Sequence, residues 1–277
     1  MTGNQSLEAI ATEWRRFGPP IIIFNKSHSG SRVLTRMIAS QGVFIGAEVN
    51  DSMDSLPVLD LVRHIVEQHY PDFGRVLGDG DPQLQQVVHA TMSRHFGSHE
   101  PGDRWGWKLC ETLYAIPLLS RIFPEARFVH LIRDGRDVAF SDHVAPVDTF
   151  WKKVYFDTDR VTRWNGMRLT ARSYRRHPHL FNARHWVNSV TVARHYGAML
   201  GERYHEIRYE HLVNSPHATL SRLFAFLRIE PDAEALAAEI ECLSAASIGK
   251  FSRQGFFKRR AALRILEPTL SSFGYIN

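Results

Sequence analysis

Residues 25–32 read Asn-Lys-Ser-His-Ser-Gly-Ser-Arg. Three hydroxyls (Ser27, Ser29, Ser31) and three basic groups (Lys26, His28, Arg32) crowd around Gly30. The stretch follows an apolar run, Ile21 to Phe24, and precedes Val33, Leu34, Met37 and Ile38 at helical spacing, so it reads as strand, loop, helix. The first N–H groups of a helix have no intrahelical partner, and the helix dipole favours negative charge there. Gly30 would let the backbone come close to a bound anion. The pattern G-x-x-x-x-G-K-[ST] is absent, which predicts a phosphate loop unlike that of the ATPases. The run alone leaves open a tight turn that holds nothing.

A second corner has the same shape. "RFVHLI" (127–132) reads as a strand, with Arg133 at its carboxyl end and Ser141 eight residues on, inside the next helix. Ligands of open parallel sheets collect at the carboxyl ends of strands. A guanidinium there can grip a phosphate through two parallel hydrogen bonds, with a serine hydroxyl as a third contact. Two anion sites on one sheet suggest a nucleotide with phosphates at both ends.

The elements that must hold these corners are legible in outline. A polar start carries Leu7, Ile10 and Trp14 at helical spacing; residues 55–69 and 81–96 read as helices, the second capped by Asp81-Pro82. Asp134 and Asp137 bracket a helix start in capping-box-like spacing, with aspartate in place of the usual glutamate. Trp186, Val190, Ala193, Tyr196 and Leu200 mark a further helix, followed by a strand at 204–210 and a helix opened by Ser215-Pro216. Strands alternating with helices predict an α/β fold with a mainly parallel central sheet flanked by helices. A length of 277 residues suits one domain, 1–277. Within it, 152–186 stands out as a basic helical insertion, nine basic residues against Asp157 and Asp159. It reads either as a solvated face or as a basic wall beside an anionic substrate or cofactor, with Trp151, Trp164 and Trp186 lining the cleft.

Composition narrows the partners. Net charge is +5, which favours anionic ligands without choosing among them. Two cysteines far apart, Cys110 and Cys242, exclude a disulfide scaffold and favour a reducing compartment. No signal peptide and no spanning apolar run are visible, so the expected location is cytoplasmic, with peripheral membrane contact left open. Of fifteen histidines, only His177/His179 and His95/His99 come near ligand spacing; zinc needs three or four converging ligands, so no metal is expected.

Taken in order, these motifs resemble the sulfotransferase superfamily over almost the whole chain. "NKSHSGSR" is similar to that family's 5'-phosphosulfate loop, usually written Lys/Arg-Ser/Gly-Gly-Thr, and "FPEARFVHLIRDGRDVAFS" to its 3'-phosphate motif. "IRYEHLVNSPHATL" resembles the Tyr-Glu-Asp-Leu segment, and "IGKFSRQGF" the late Gly-Lys/Arg-Trp segment. The motif style is that of the glycan and protein-tyrosine branch. The resemblance implies a P-loop-NTPase-like three-layer fold. It also implies 3'-phosphoadenosine 5'-phosphosulfate (PAPS) as co-substrate, with Lys26, Ser27, Ser29, Gly30, Ser31, Arg32, Arg133, Ser141, Tyr209 and Lys250 as its binding residues.

His28 stands where the family carries lysine or arginine, so either Lys26 or a protonated His28 would contact the bridging oxygen. Glu48, at the end of a presumed second strand, takes the place of the base, with Glu111 and Asp51 as weaker alternatives. Lys108 in "WGWKLCET" is implied near the transferred group. The partners expected are PAPS or its desulfated product (PAP) and a hydroxyl-bearing acceptor, not nucleic acid. Two rivals remain: a nucleotide-dependent kinase using Asp134 to hold a metal, and a noncatalytic basic module built on 152–186.

Overall fold

The computed structural model of the chain describes residues 9–70, 72–79, 81–100, 104–141 and 176–276. At its centre are four strands, β1 (Ile21–Asn25), β2 (Gly106–Lys108), β3 (Arg127–Ile132) and β4 (Tyr204–Arg208), in the order β2-β1-β3-β4. All three pairings are parallel: Ile23 lies opposite Lys108 on one side and Val129 on the other, and Val129 opposite His205. Parallel neighbours require crossover connections, which put helices on both faces; β1 and β2 are buried throughout, whereas the edge strand β4 buries only Ile207 fully.

The first helices in chain order are α1 (Ser31–Ala39), α2 (Leu56–Gln68), α3 (Gly74–Asp79), α4 (Pro82–Phe96), α5 (Ile116–Ile122) and α6 (Gly135–Ala139). They are followed by α7 (Pro178–Ala198), α8 (Tyr209–Asn214), α9 (Pro216–Leu227), α10 (Ala233–Glu241) and α11 (Phe256–Ser272). Alternation along β1 sorts them into two layers. Ile22 and Phe24 pack with Trp107 and Phe128 against α2, α4, α5 and α7. Ile21 and Ile23 pack with Val129, Leu131 and Ile207 against α1, α9 and α10. The expected three-layer α/β architecture with a parallel sheet is what forms.

Strand order places the site. The chain steps from β1 outward to β2, then returns past β1 to β3, so the winding reverses between β1 and β3. Parallel α/β sheets open a crevice at such a reversal, beyond the carboxyl ends of the strands. Lys26 and Arg133 directly follow the two strands concerned.

Several sequence expectations need correction. No named strand forms at 43–48: Phe44 makes one isolated bridge to Trp105, and Gly42 and Gly46, at φ 77° and 128°, turn the chain on either side. The strand expected at 204–210 stops at Arg208, because Tyr209 opens α8. Ser141 lies two residues past the end of α6 and not inside it.

The capping box at Asp134 is half made. Its carboxylate accepts the Arg136 N–H at 2.8 Å, but its own N–H donates to Glu210 Oε1 at 2.8 Å. Asp137 is thereby left for another task, described below.

Of the basic insertion, 152–175 lies outside the described residues, as do Trp151 and Trp164. Residues 178–186 begin α7, and Trp186 is fully buried under Gly135. Its indole N–H donates to Arg133 O at 2.9 Å, so it anchors the end of β3 and does not line a cleft. No described helix is long and apolar enough to cross a membrane.

Candidate active site

The loop after β1 is folded onto itself. Asn25 Nδ2 and Ser29 Oγ both donate to Lys26 O, at 2.6 and 2.7 Å, curling residues 25–29 around one carbonyl. Ser29 is buried and its hydroxyl is committed to that carbonyl, so it shapes the loop. His28 and Gly30 take positive φ, 71° and 89°. At Gly30 this is obligatory twice over: a Cβ would also come within 2.4 Å of the Tyr209 ring.

α1 starts at Ser31 with Gly30 as its N-cap and no side chain capping its N–H groups. Ser31 is buried at the rim of this turn, whereas Arg32 points into solvent. A cap position without a side chain leaves helix-start donors for an external acceptor.

Lys26 is 2% exposed, with Nζ 3.1 Å from Ser27 Oγ. Burial lowers it to about 8, against the opposing influence of Cys110 and Glu111. The shift from 10.5 corresponds to a cost on the order of 3 kcal/mol for keeping the ammonium charged. Because the folded-state value is depressed, that cost is present at neutral pH and disappears as pH rises from about 8 to 10.5. A phosphate or sulfate oxygen at Nζ would offset it, which is the behaviour expected of a buried cation that serves an anionic ligand.

Arg133, 4% exposed at the end of β3, joins this loop to the late part of the chain. It donates from Nη1 to His28 O at 3.1 Å and from Nη2 to Ser247 O, and it lies 5.5 Å from the centroid of the Tyr209 ring. Tyr209, buried, donates to Ser244 O at 2.9 Å.

The segment carrying Lys250 is held from below by Asp137. The two carboxylate oxygens accept the N–H groups of Gly249 (2.8 Å) and Phe251 (3.0 Å), on either side of Lys250. Ser141, half-buried, follows α6 on the same corner. Arg133 therefore lies over Tyr209, Tyr209 packs against Gly30, and Lys250 is tethered nearby through its neighbours.

Lys108 ends β2 beside β1. Its Nζ, buried, donates to Asp54 Oδ1 at 2.7 Å and Ser52 O at 2.9 Å. Burial opposes its charge, yet Cys110, Asp54 and Glu111 together raise its pKa above the ordinary value.

Glu48 is further out. Ser55 N–H donates to Lys108 O of β2 (2.9 Å), and the next residue, Leu56, donates to Glu48 O (3.0 Å). Its half-exposed carboxylate pairs with Arg94 of α4, Oε2 to Nη2 at 2.6 Å and Oε1 to Nε at 3.2 Å. That hydrogen bonding holds Glu48 below its usual range. Glu111 instead lines a small cavity with Lys26, Ser27, Cys110 and His185, and Asp51 is exposed.

The carboxyl ends of β2, β1, β3 and β4 thus carry Lys108, Lys26, Arg133 and Tyr209 in a row. Three cationic side chains, all buried, lie on a surface that also offers helix-start N–H groups. Such an array can bind two separated anionic groups and stabilise charge developing between them.

Sequence reading named Asp137 and Trp186 but not the tasks they perform, which run through backbone groups, and it did not single out His185. Burial keeps His185 neutral beneath the loop, with Lys26 and His28 adding to the effect.

The rival readings fare differently. Asp134 is fully engaged: Arg136 grips its carboxylate through Nε (2.9 Å) and Nη2 (2.6 Å), and the same carboxylate caps the Arg136 N–H. A kinase would need that carboxylate for its metal. Of the basic module, Arg176 is exposed and Arg184 half-buried at the start of α7, and 152–175 lies outside the described residues.

Comparison with known proteins completes the description. A family model described as "Sulfotransferase family" matches residues 19–233. The fold is similar to the sulfotransferase domain of the curacin biosynthetic pathway, at 18% identity and a TM-score of 0.50 over 93% of this chain and 98% of that one. It is also similar to the sulfotransferase domain of the Synechococcus PCC 7002 olefin synthase, at 16% identity and a TM-score of 0.51 over 94% and 96%. At such identities the structural likeness concerns the fold alone. No curated protein matches the chain significantly.

Proposed function

Since the chain belongs to the sulfotransferase family, we propose that it moves a sulfuryl group from PAPS to a hydroxyl of a glycan, lipid-linked or peptide acceptor by in-line displacement. The observation that carries this reading is the row of strand-end residues, with Lys26 and Arg133 flanking the point where the winding reverses. In this reading Lys26 and the N–H groups of the loop and α1 hold the 5'-phosphosulfate. Arg133 and Ser141 take the 3'-phosphate. Tyr209 and the Lys250 segment close over the nucleotide. The cradle fits: Gly30 leaves no side chain between the loop and the Tyr209 ring.

The co-substrate supplies an activated sulfur–oxygen bond to the phosphate. That bond breaks as one to the acceptor oxygen forms, leaving PAP. The protein's part is positioning and electrostatics, as in phosphoryl transfer. Lys26 neutralises the leaving phosphate oxygen, Lys108 the equatorial sulfuryl oxygens, and Glu48 receives the acceptor proton. An exposed ion pair contributes little, so Glu48 can leave Arg94 for an acceptor hydroxyl at small cost.

The base assignment has its own test in a radiolabelled transfer assay. Glu48→Gln is expected to lower kcat on the order of 10²–10⁴-fold with PAP affinity unchanged. Arg94→Ala is expected to move the acid limb of the kcat/KM profile upward, because the group that lowers the Glu48 pKa has gone. Loss confined to Glu111→Gln would transfer the role to Glu111.

A further inference from the structure

We propose that His64, His69 and Asp81 form a binding site for a divalent transition-metal ion, best suited to Zn²⁺, at the far end of α2. The Nε2 atoms of His64 and His69 lie 3.1 and 3.0 Å from the same oxygen, Asp81 Oδ2. The three candidate ligand atoms all fall within 4.8 Å of one another. Ligands roughly 2.0–2.1 Å from a tetrahedral zinc stand about 3.3 Å apart. The two nitrogen–oxygen separations are within a few tenths of an ångström of that spacing. The two rings, with centroids 6.0 Å apart and planes at 72°, already converge on one point.

The cluster is built, not scattered on the surface. The side chains are 15%, 11% and 14% exposed, in the order His64, His69, Asp81. Asp81 caps α4, its Oδ1 accepting the Gln83 N–H at 2.9 Å, which fixes the carboxylate and leaves Oδ2 turned to the histidines. Such outer contacts orient metal ligands.

Sequence spacing hid the pair, because residues five apart on a continuous helix do not share a face. His69 escapes this because it is the C-cap of α2, at φ −126°, where the chain leaves the helix and swings its ring back beside His64. The ligand pairs that spacing did suggest do not converge. Buried His95 bonds Ser55 Oγ, His99 stacks on Phe44, and among the described residues no other group of three ligands meets.

Two imidazoles and one carboxylate form a donor set that favours zinc and its transition-metal neighbours over magnesium or calcium. Binding requires the Nε2 lone pairs. Each ring that now donates from Nε2 must pass that proton to its own Nδ1 or release it to water. Three protein ligands leave a fourth position for water.

The role implied is a tie between the end of α2 and the start of α4. His64 and His69 stand eight and thirteen residues beyond Leu56, about 12–20 Å along the helix axis from the end stitched to β2. The ion would therefore take no part in transfer chemistry.

Metal-stripped, untagged full-length protein titrated with ZnCl₂ by calorimetry, and with CoCl₂ by visible absorption, tests the site. Expected are one equivalent of each metal, a cobalt spectrum of low-coordinate type and a rise in Tm with Zn²⁺. His69→Gln and Asp81→Asn, the latter keeping a capping side chain, should each weaken binding at least about tenfold. Wild-type protein that takes up no stoichiometric metal overturns the proposal whatever the variants do. So does uptake that both variants leave unchanged.

Discussion

Arg133→Ala is expected to weaken PAP binding on the order of 10²–10³-fold and to abolish discrimination between PAP and adenosine 5'-phosphate, as read by calorimetry. The guanidinium is buried and already spans two backbone carbonyls, His28 O in the phosphosulfate loop and Ser247 O in the late segment. Its removal is therefore expected to cost the proposed 3'-phosphate contact and to slacken the tie between the loop after β1 and the late segment. Arg133→Lys separates these effects. It keeps the charge but not the two-pronged geometry, and should fall between wild type and alanine. An alanine variant that still prefers PAP over adenosine 5'-phosphate as strongly as wild type would remove Arg133 from the 3'-phosphate.

Lys26→Met should lower kcat on the order of 10²–10³-fold, the usual cost of losing one donor to developing negative charge. The pH profile carries a second signature. Lys26 serves as a cation, and burial puts its pKa at about 8, so kcat/KM should fall as pH rises through about 8. In the saturated enzyme the anionic donor favours the ammonium, and the limb in kcat should lie higher. The competing assignment of this role to His28 predicts a falling limb that His28→Gln removes and Lys26→Met leaves in place.

What sequence could show was whatever repeats locally. The β1 and β3 corners were legible because an apolar run, a small-residue loop and a helical period lie within some fifteen residues of each other. The α4 cap at Asp81 was legible for the same reason, and it forms as expected.

What sequence could not show was convergence over distance. Asp137 was read as half of a local capping box, yet its carboxylate serves the backbone at 249–251, more than a hundred residues away. The Glu210 carboxylate fills the vacated role from β4's far end. Glycines at 42 and 46 were given too little weight against the apolar residues between them, and a strand was expected where the chain makes one bridge. Trp186 was read both as part of a helix's apolar stripe and as a cleft-lining aromatic of the basic segment; its partner Gly135, where a Cβ would come within 2.5 Å of the indole, marks it as core. Glu48 was placed by resemblance, and nothing local could reveal the arginine on α4 that holds it.

The most direct measurement is a crystal structure of the protein with PAP. One nucleotide is predicted to bridge the two strand ends, its 5'-phosphate within hydrogen-bonding reach of residues 26–32 and its 3'-phosphate on Arg133 and Ser141. A nucleotide bound elsewhere, or one whose phosphates reach only one of the two corners, contradicts the account.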